Sequence, residues 1–131
     1  MKVKQTILLI VMLCAITGLV IYKQIVKNGT GSTGIATKGM PGLIELGSKT
    51  CNACKEMAPI IEDLKIELAG KVTVTFIDIY AKGNEKAADM HQLTMIPTQL
   101  FIDKEGNEVD RHVGKISKME IMQILEEHKM L

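Results

Sequence analysis

The sequence predicts an α/β domain of order β-α-β-α-β-β-α, held behind an apolar N-terminal segment and a linker rich in Gly, Ser and Thr. Two observations carry that expectation. From residue 43 onward, runs rich in β-branched residues alternate with stretches whose apolar residues recur at helical spacing. Before that point the composition changes abruptly, from an uncharged apolar run to a polar, glycine-rich stretch without period. A chain of 131 residues holds one globular domain and an appendage. The expected organisation is residues 1–26 as a membrane anchor or signal segment, 27–42 as linker and 43–131 as the folded domain.

After Lys2 and Lys4, residues 7–22 carry no charge. A spanning helix needs about 17 to 25 residues, so this run reaches the lower limit only with help from Thr6 or the stems of Lys23 and Lys27. No small-x-small cleavage site follows it closely. Ala15-Ile16-Thr17 falls inside the run, ahead of Leu19-Val20-Ile21, which favours an uncleaved anchor over a cleaved signal. Bulky Met12 and Leu13 precede Cys14 where a lipidated cysteine needs small neighbours, so lipidation is not expected. Lys2 and Lys4 balance Lys23 and Lys27, so flanking charge leaves the orientation open, and the short basic start favours an inside amino terminus. The domain is then expected on the extracytoplasmic side of the cell membrane, or secreted or periplasmic if the segment is cleaved. A Gly-rich linker of this length spans about 20 to 25 Å, which keeps the domain near the membrane surface.

Within the domain, Leu43-Ile44-Glu45-Leu46 reads as a short strand. Residues 52–69 place Met57, Ile61, Leu64 and Leu68 on one helical face, ended by Gly70. Residues 72–78 read as a second strand, and 84–92 as a second helix. Residues 98–103 and 108–113 form an antiparallel hairpin around the turn at 104–107. Ser117 then caps a last helix carrying Met119, Ile121, Ile124 and Leu125.

Sixteen Lys and Arg against fifteen Asp and Glu give a formal charge of +1, too small a field to draw in nucleic acid, which is not an expected partner. Trp is absent and Met reaches nine, so the core relies on Leu, Ile, Val and Met. Of three cysteines, Cys14 lies in the apolar run and Cys51 and Cys54 form a C-x-x-C. A disulfide scaffold needs more cysteines, and a zinc site of this type needs a second pair. At the start of a helix after a strand, the first sulfur meets unpaired N–H groups and the positive end of the helix dipole, which favours the thiolate. Cys51 then attacks a substrate disulfide, and Cys54, one turn on, resolves the mixed disulfide. A static disulfide or a metal-binding pair shares the same spacing.

Residues well beyond the cysteines resemble the thioredoxin family. Cys51-Asn52-Ala53-Cys54-Lys55 runs on to Met57-Ala58-Pro59, as in the family's helix with its kinking proline, and Ile96-Pro97-Thr98 is similar to its cis-proline loop. Gly106, Gly114, Ser117 and Lys118 also fall where the family pattern has them, so the resemblance covers almost all of residues 41–131. It implies a thioredoxin-like fold reduced to a minimal four-stranded mixed sheet flanked by three helices, without the family's extra N-terminal strand and helix. It also implies that Glu45 is a buried acid accepting a proton from the resolving thiol, with a raised pKa suited to that task. Substrate is expected to meet Thr50, Asn52, Ala53, Ile96 and Pro97.

The chain departs from the family at several places. Thr50 stands for the usual Trp, Gly47 and Ser48 replace a bulky aromatic segment, and Asn52-Ala53 replaces Gly-Pro, giving a smaller and more polar rim. The lysine that often accompanies the acid has no match, Val74 standing in its place. His91, His112 and His128 are scattered, Asp78 suits a turn, and the charges at 82–89 and 126–129 suit solvated helix faces. Met119, Met122 and Met130 suit core or surface gaps better than copper binding.

The resulting expectation is a membrane-anchored, extracytoplasmic thiol–disulfide oxidoreductase. It reduces disulfides of exported proteins without cofactor or metal and receives electrons from a membrane partner protein. An oxidase or isomerase using the same pair, or a Cu(I)-holding module, are the alternatives.

Overall fold

The computed structural model describes residue 7, residues 12–19 and residues 39–131. The chain divides into two units, residues 1–31 and 32–131. In the first, the described residues are helical, and no helix among the described residues is long and apolar enough to cross a membrane. The other positions of the expected anchor, and residues 27–38 of the expected linker, lie outside the described residues.

The second unit runs β1 (Gly42–Gly47), α1 (Asn52–Glu67), β2 (Thr73–Asp78), α2 (Ala87–Met90), β3 (Thr98–Ile102), β4 (Glu108–Val113) and α3 (Lys118–Glu127). The sheet order is β2-β1-β3-β4, with β1 parallel to β2 and antiparallel to β3, and β3 antiparallel to β4. A mixed sheet of four strands with three helices is the expected architecture.

β1 lies inside the sheet and is buried along its whole length, so both of its faces meet core. Successive side chains of a strand point to opposite faces. Leu43 joins Met57, Ile61, Leu64, Phe101, Ile121 and Leu125 in the larger cluster, which includes the apolar stripes of α1 and α3. Ile44 and Leu46 point the other way, into a smaller cluster with Ile77, Leu100 and Ile102, flanked by Ala87 and Leu93. The same alternation puts Glu45 on the face of Leu43, beneath α1.

The apolar face of α1 is the predicted one, with Met57, Ile61, Leu64 and Leu68 all buried. Pro59 sits inside the helix on its exposed side. Water there can serve the Lys55 carbonyl that a proline cannot reach. The helix closes at Leu68, and Gly70 turns the chain at φ +80°, a backbone that favours glycine.

The second helix is shorter than predicted, four residues rather than 84–92. The Asn84 side-chain amide donates to the Asp78 carbonyl at 2.9 Å, which ties the approach into a turn. Gly83 at φ +97° and Gln92 at φ +48° break the helix on either side. α3 begins in a capping box. The Ser117 hydroxyl accepts from Glu120 N–H at 3.3 Å, and Glu120 Oε2 accepts from Ser117 N–H at 3.0 Å. Ile121 and Leu125 are buried and Ile124 half-buried, but Met119, expected on the apolar face, is exposed. It lies two residues before Ile121, about 200° around the helix, and so points away from the buried stripe.

Candidate active site

β1 ends at Gly47, and three residues lead to the helix that carries the dithiol. That turn is held by hydroxyls. Ser48 Oγ lies 2.9 Å from Thr50 Oγ1 and accepts from Thr50 N–H at 3.2 Å, while the Ser48 carbonyl accepts from Cys51 N–H at 3.2 Å. Cys51 is thereby fixed as the N-cap of α1. Its sulfur accepts from Cys54 N–H at 3.4 Å, in the place an oxygen would take in an ordinary cap.

The two thiols, both free, differ in environment. Cys51 is partly exposed, and its pKa is lowered, first by a hydrogen bond from the Cys54 thiol and next by Cys54 N–H. Cys54 is 2% exposed, and burial is the main force raising its pKa, with the hydrogen bond it gives Cys51 adding to that. One sulfur is therefore an accessible incipient nucleophile, and the other is held back as a buried thiol.

Glu45 is fully buried, and neither carboxyl oxygen has a hydrogen-bond partner. Burial raises its pKa to about 7. Glu45 stands opposite Gln99 on β3 and Phe76 on β2. Val74, expected beside the acid, is instead opposite Leu43. The reason is register: β2 pairs with β1 so that Glu45 meets the residue two positions further along. An aromatic ring replaces the expected valine, and a cation is absent from that position. The Glu45 charge adds a small upward push on both cysteines, which on Cys51 is outweighed by the groups that lower its pKa.

The Ile96–Pro97 peptide bond is cis, Pro97 is buried and Ile96 half-buried. Gly114 N–H donates to the Pro97 carbonyl at 2.8 Å, and Thr98 Oγ1 to the Met95 carbonyl at 2.6 Å. Because Thr98 pairs with Leu46, the loop arrives beside the end of β1 from which the dithiol turn departs. Sheet register thus gathers Glu45, the Ser48–Cys51 turn and the Ile96–Pro97 loop at one end of the sheet. Thr50 and Asn52 are exposed there, and Ala53 is half-buried.

The histidines do not join this site. His91 is buried, with a pKa lowered by burial, His112 contacts the Lys115 carbonyl, and His128 contacts Asp110. Among the described residues no three His, Cys, Asp or Glu side chains gather to hold a metal ion. Asp78 forms the expected turn, its carboxylate accepting from Tyr80 N–H at 3.1 Å.

Sequence reasoning missed what Gly47 does. A Cβ there would lie 2.9 Å from Phe76 Cε2 and 3.1 Å from Cys54 Sγ, so the strand end, the ring and the sulfur pack this closely only around glycine. It also missed the hydroxyl clamp, for which the Ser48-x-Thr50 pattern before a helix was an available signal.

The family model for thioredoxin matches residues 25–127. The chain is 28% identical over 103 residues to Thioredoxin 1 of Nostoc sp., covering 79% of this chain and 94% of that protein. It is 30% identical over 100 residues to the thioredoxin of Mycolicibacterium smegmatis, covering 76% and 88%. The crystal structure of Fasciola hepatica thioredoxin superposes with a TM-score of 0.60 at 29% identity, covering 82% of this chain and 90% of that one.

Proposed function

The chain belongs to the thioredoxin family and is a thiol–disulfide oxidoreductase, and from that premise we propose that it reduces disulfides of exported proteins while tethered to the membrane by its N-terminal segment. The division of labour between the thiols carries the reading. Cys51, partly exposed and lowered in pKa, attacks one sulfur of a substrate disulfide. The substrate S–S bond breaks, a Cys51–substrate disulfide forms, and the leaving sulfur takes up a proton. Cys54 then loses its proton to the Glu45 carboxylate and attacks Cys51 Sγ. The second substrate thiol is released, and the chain is left with a Cys51–Cys54 disulfide. Thr50, Asn52, Ala53, Ile96 and Pro97 form the surface that meets the substrate.

Likeness to thioredoxins, whose dithiols lie at the reducing end of the range near roughly −270 mV, supports the reductive direction. The apolar run at residues 7–22 supports the tether and an extracytoplasmic domain, and a membrane electron-donor protein would restore the dithiol. Replacing Cys54→Ser tests the assignment. The variant should accumulate a mixed disulfide through Cys51 when given a disulfide-bonded protein, visible by non-reducing gel and mass spectrometry. Capture instead through Cys51→Ser would reverse the roles.

A further inference from the structure

A cleft of about 260 Å³ opens beside the dithiol. Its apolar walls come from Cys54, Ala58 and Ile61 along one side of α1 and from Phe76 of β2. The ring of Phe76 leans over the end of β1 because Gly47 offers no side chain. Three charges surround the opening, Lys49, Lys55 and Glu62, and neither lysine has an ion-pair partner among the described residues. The cleft therefore combines an apolar floor, a net positive rim and the buried Cys54 of the redox pair in one wall. Its lining does not include Thr50, Ile96 or Pro97, although it adjoins Thr50 through Ser48, which lines the cleft and bonds to Thr50.

We infer that this cleft is a second recognition site, which takes an apolar side chain of the substrate protein from a segment that also carries an acidic residue facing Lys49 and Lys55. The inference rests on the disulfide-reductase reading above. A small free anion would gain little from an apolar floor and would meet Glu62. An apolar residue flanked by an acid uses both features, and the cleft has room for one branched or aromatic side chain. Once a mixed disulfide tethers the substrate to Cys51, a neighbouring contact becomes intramolecular, so even a weak pocket biases which disulfides are resolved. Exposed charges contribute modestly, so the two lysines together correspond to a preference of roughly threefold to tenfold.

The test uses the full-length chain, reduced and held in detergent, with three disulfide-bridged peptides that differ only beside the bridge: Leu-Asp, Leu-Lys and Gly-Asp. Single-turnover rate constants are read from release of peptide thiol, with a small aromatic disulfide as reference. The Leu-Asp peptide should react roughly threefold to tenfold faster than Leu-Lys, with the preference fading at high salt. The paired variant K49E/K55E should abolish or invert that ratio. Ala58→Phe, at an exposed helix position, should fill the cleft and remove the preference for Leu-Asp over Gly-Asp. Equal rates for the three peptides, or ratios untouched by either variant, overturn the inference while leaving the reductase reading in place. If the reference disulfide is not reduced either, the reductase reading itself fails, and the inference with it.

Discussion

Glu45 is the residue whose chemistry is most exposed to test, because it is buried without a hydrogen bond to either oxygen. In the folded chain it ionises near 7, against an ordinary value of 4.5, so the folded state binds an extra proton between those limits. The sign follows: stability is greatest below about pH 4.5 and falls as pH rises to about 7, by about 3 kcal/mol in all. Glu45→Gln removes the ionisation. Urea denaturation should therefore show the variant gaining about 3 kcal/mol on the wild type between pH 4.5 and 8, while its mixed disulfide with substrate lives longer. Parallel pH profiles would show that Glu45 is not a buried titrating acid. At this scale the groups gathered at the end of β1 were legible because they sit in local patterns: C-x-x-C, Ile-Pro-Thr, and an acid six positions ahead of Cys51. The neighbours of Glu45 were not. Phe76 reaches it through strand register, and Val74 was the mistaken expectation because spacing along one strand does not reveal which residue of another lies opposite.

Elements meet at the end of β1, where a strand, a turn and a helix must come together within a few ångströms. Gly47 makes that junction possible. Gly47→Ala would press a methyl group against the Phe76 ring and the Cys54 sulfur, and overpacking of this kind costs about 1 to 3 kcal/mol. Equilibrium unfolding should show that loss together with slower resolution of the mixed disulfide, whereas a change below about 0.5 kcal/mol would mean that the junction yields freely. α1 and α3 are also linked on the surface by Lys118, which pairs with Asp63 at 2.8 Å and Glu67 at 2.6 Å, but exposed pairs contribute little beside the buried stripes. The strands, α1 and α3 were legible because each carries a clear apolar period or cap. α2 was not, since its boundaries are set by the Asn84–Asp78 hydrogen bond and by positive φ at Gln92, and neither alters the hydrophobic pattern.

Over the whole molecule, a formal charge of +1 supplies no long-range steering, so substrate choice must come from the surface around the dithiol. The sheet does the gathering: a parallel β1–β2 pair and an antiparallel β1–β3 pair bring residues from positions 45 to 97 to one end of one layer. The proposed tether is a separate matter, resting on the apolar run at residues 7–22 alone. After cell fractionation the full-length chain should remain with membranes through a high-salt wash and be released by detergent. Recovery in the soluble fraction would remove the anchor from the account without touching the dithiol chemistry. The most direct test of the reductase reading is the reduction potential of the Cys51–Cys54 pair, measured on the full-length chain equilibrated across glutathione and dithiothreitol buffers. A value at or below roughly −270 mV, that of a reducing thioredoxin, is the expected result, and a value near about −120 mV, that of a strong disulfide-forming oxidant, would contradict it.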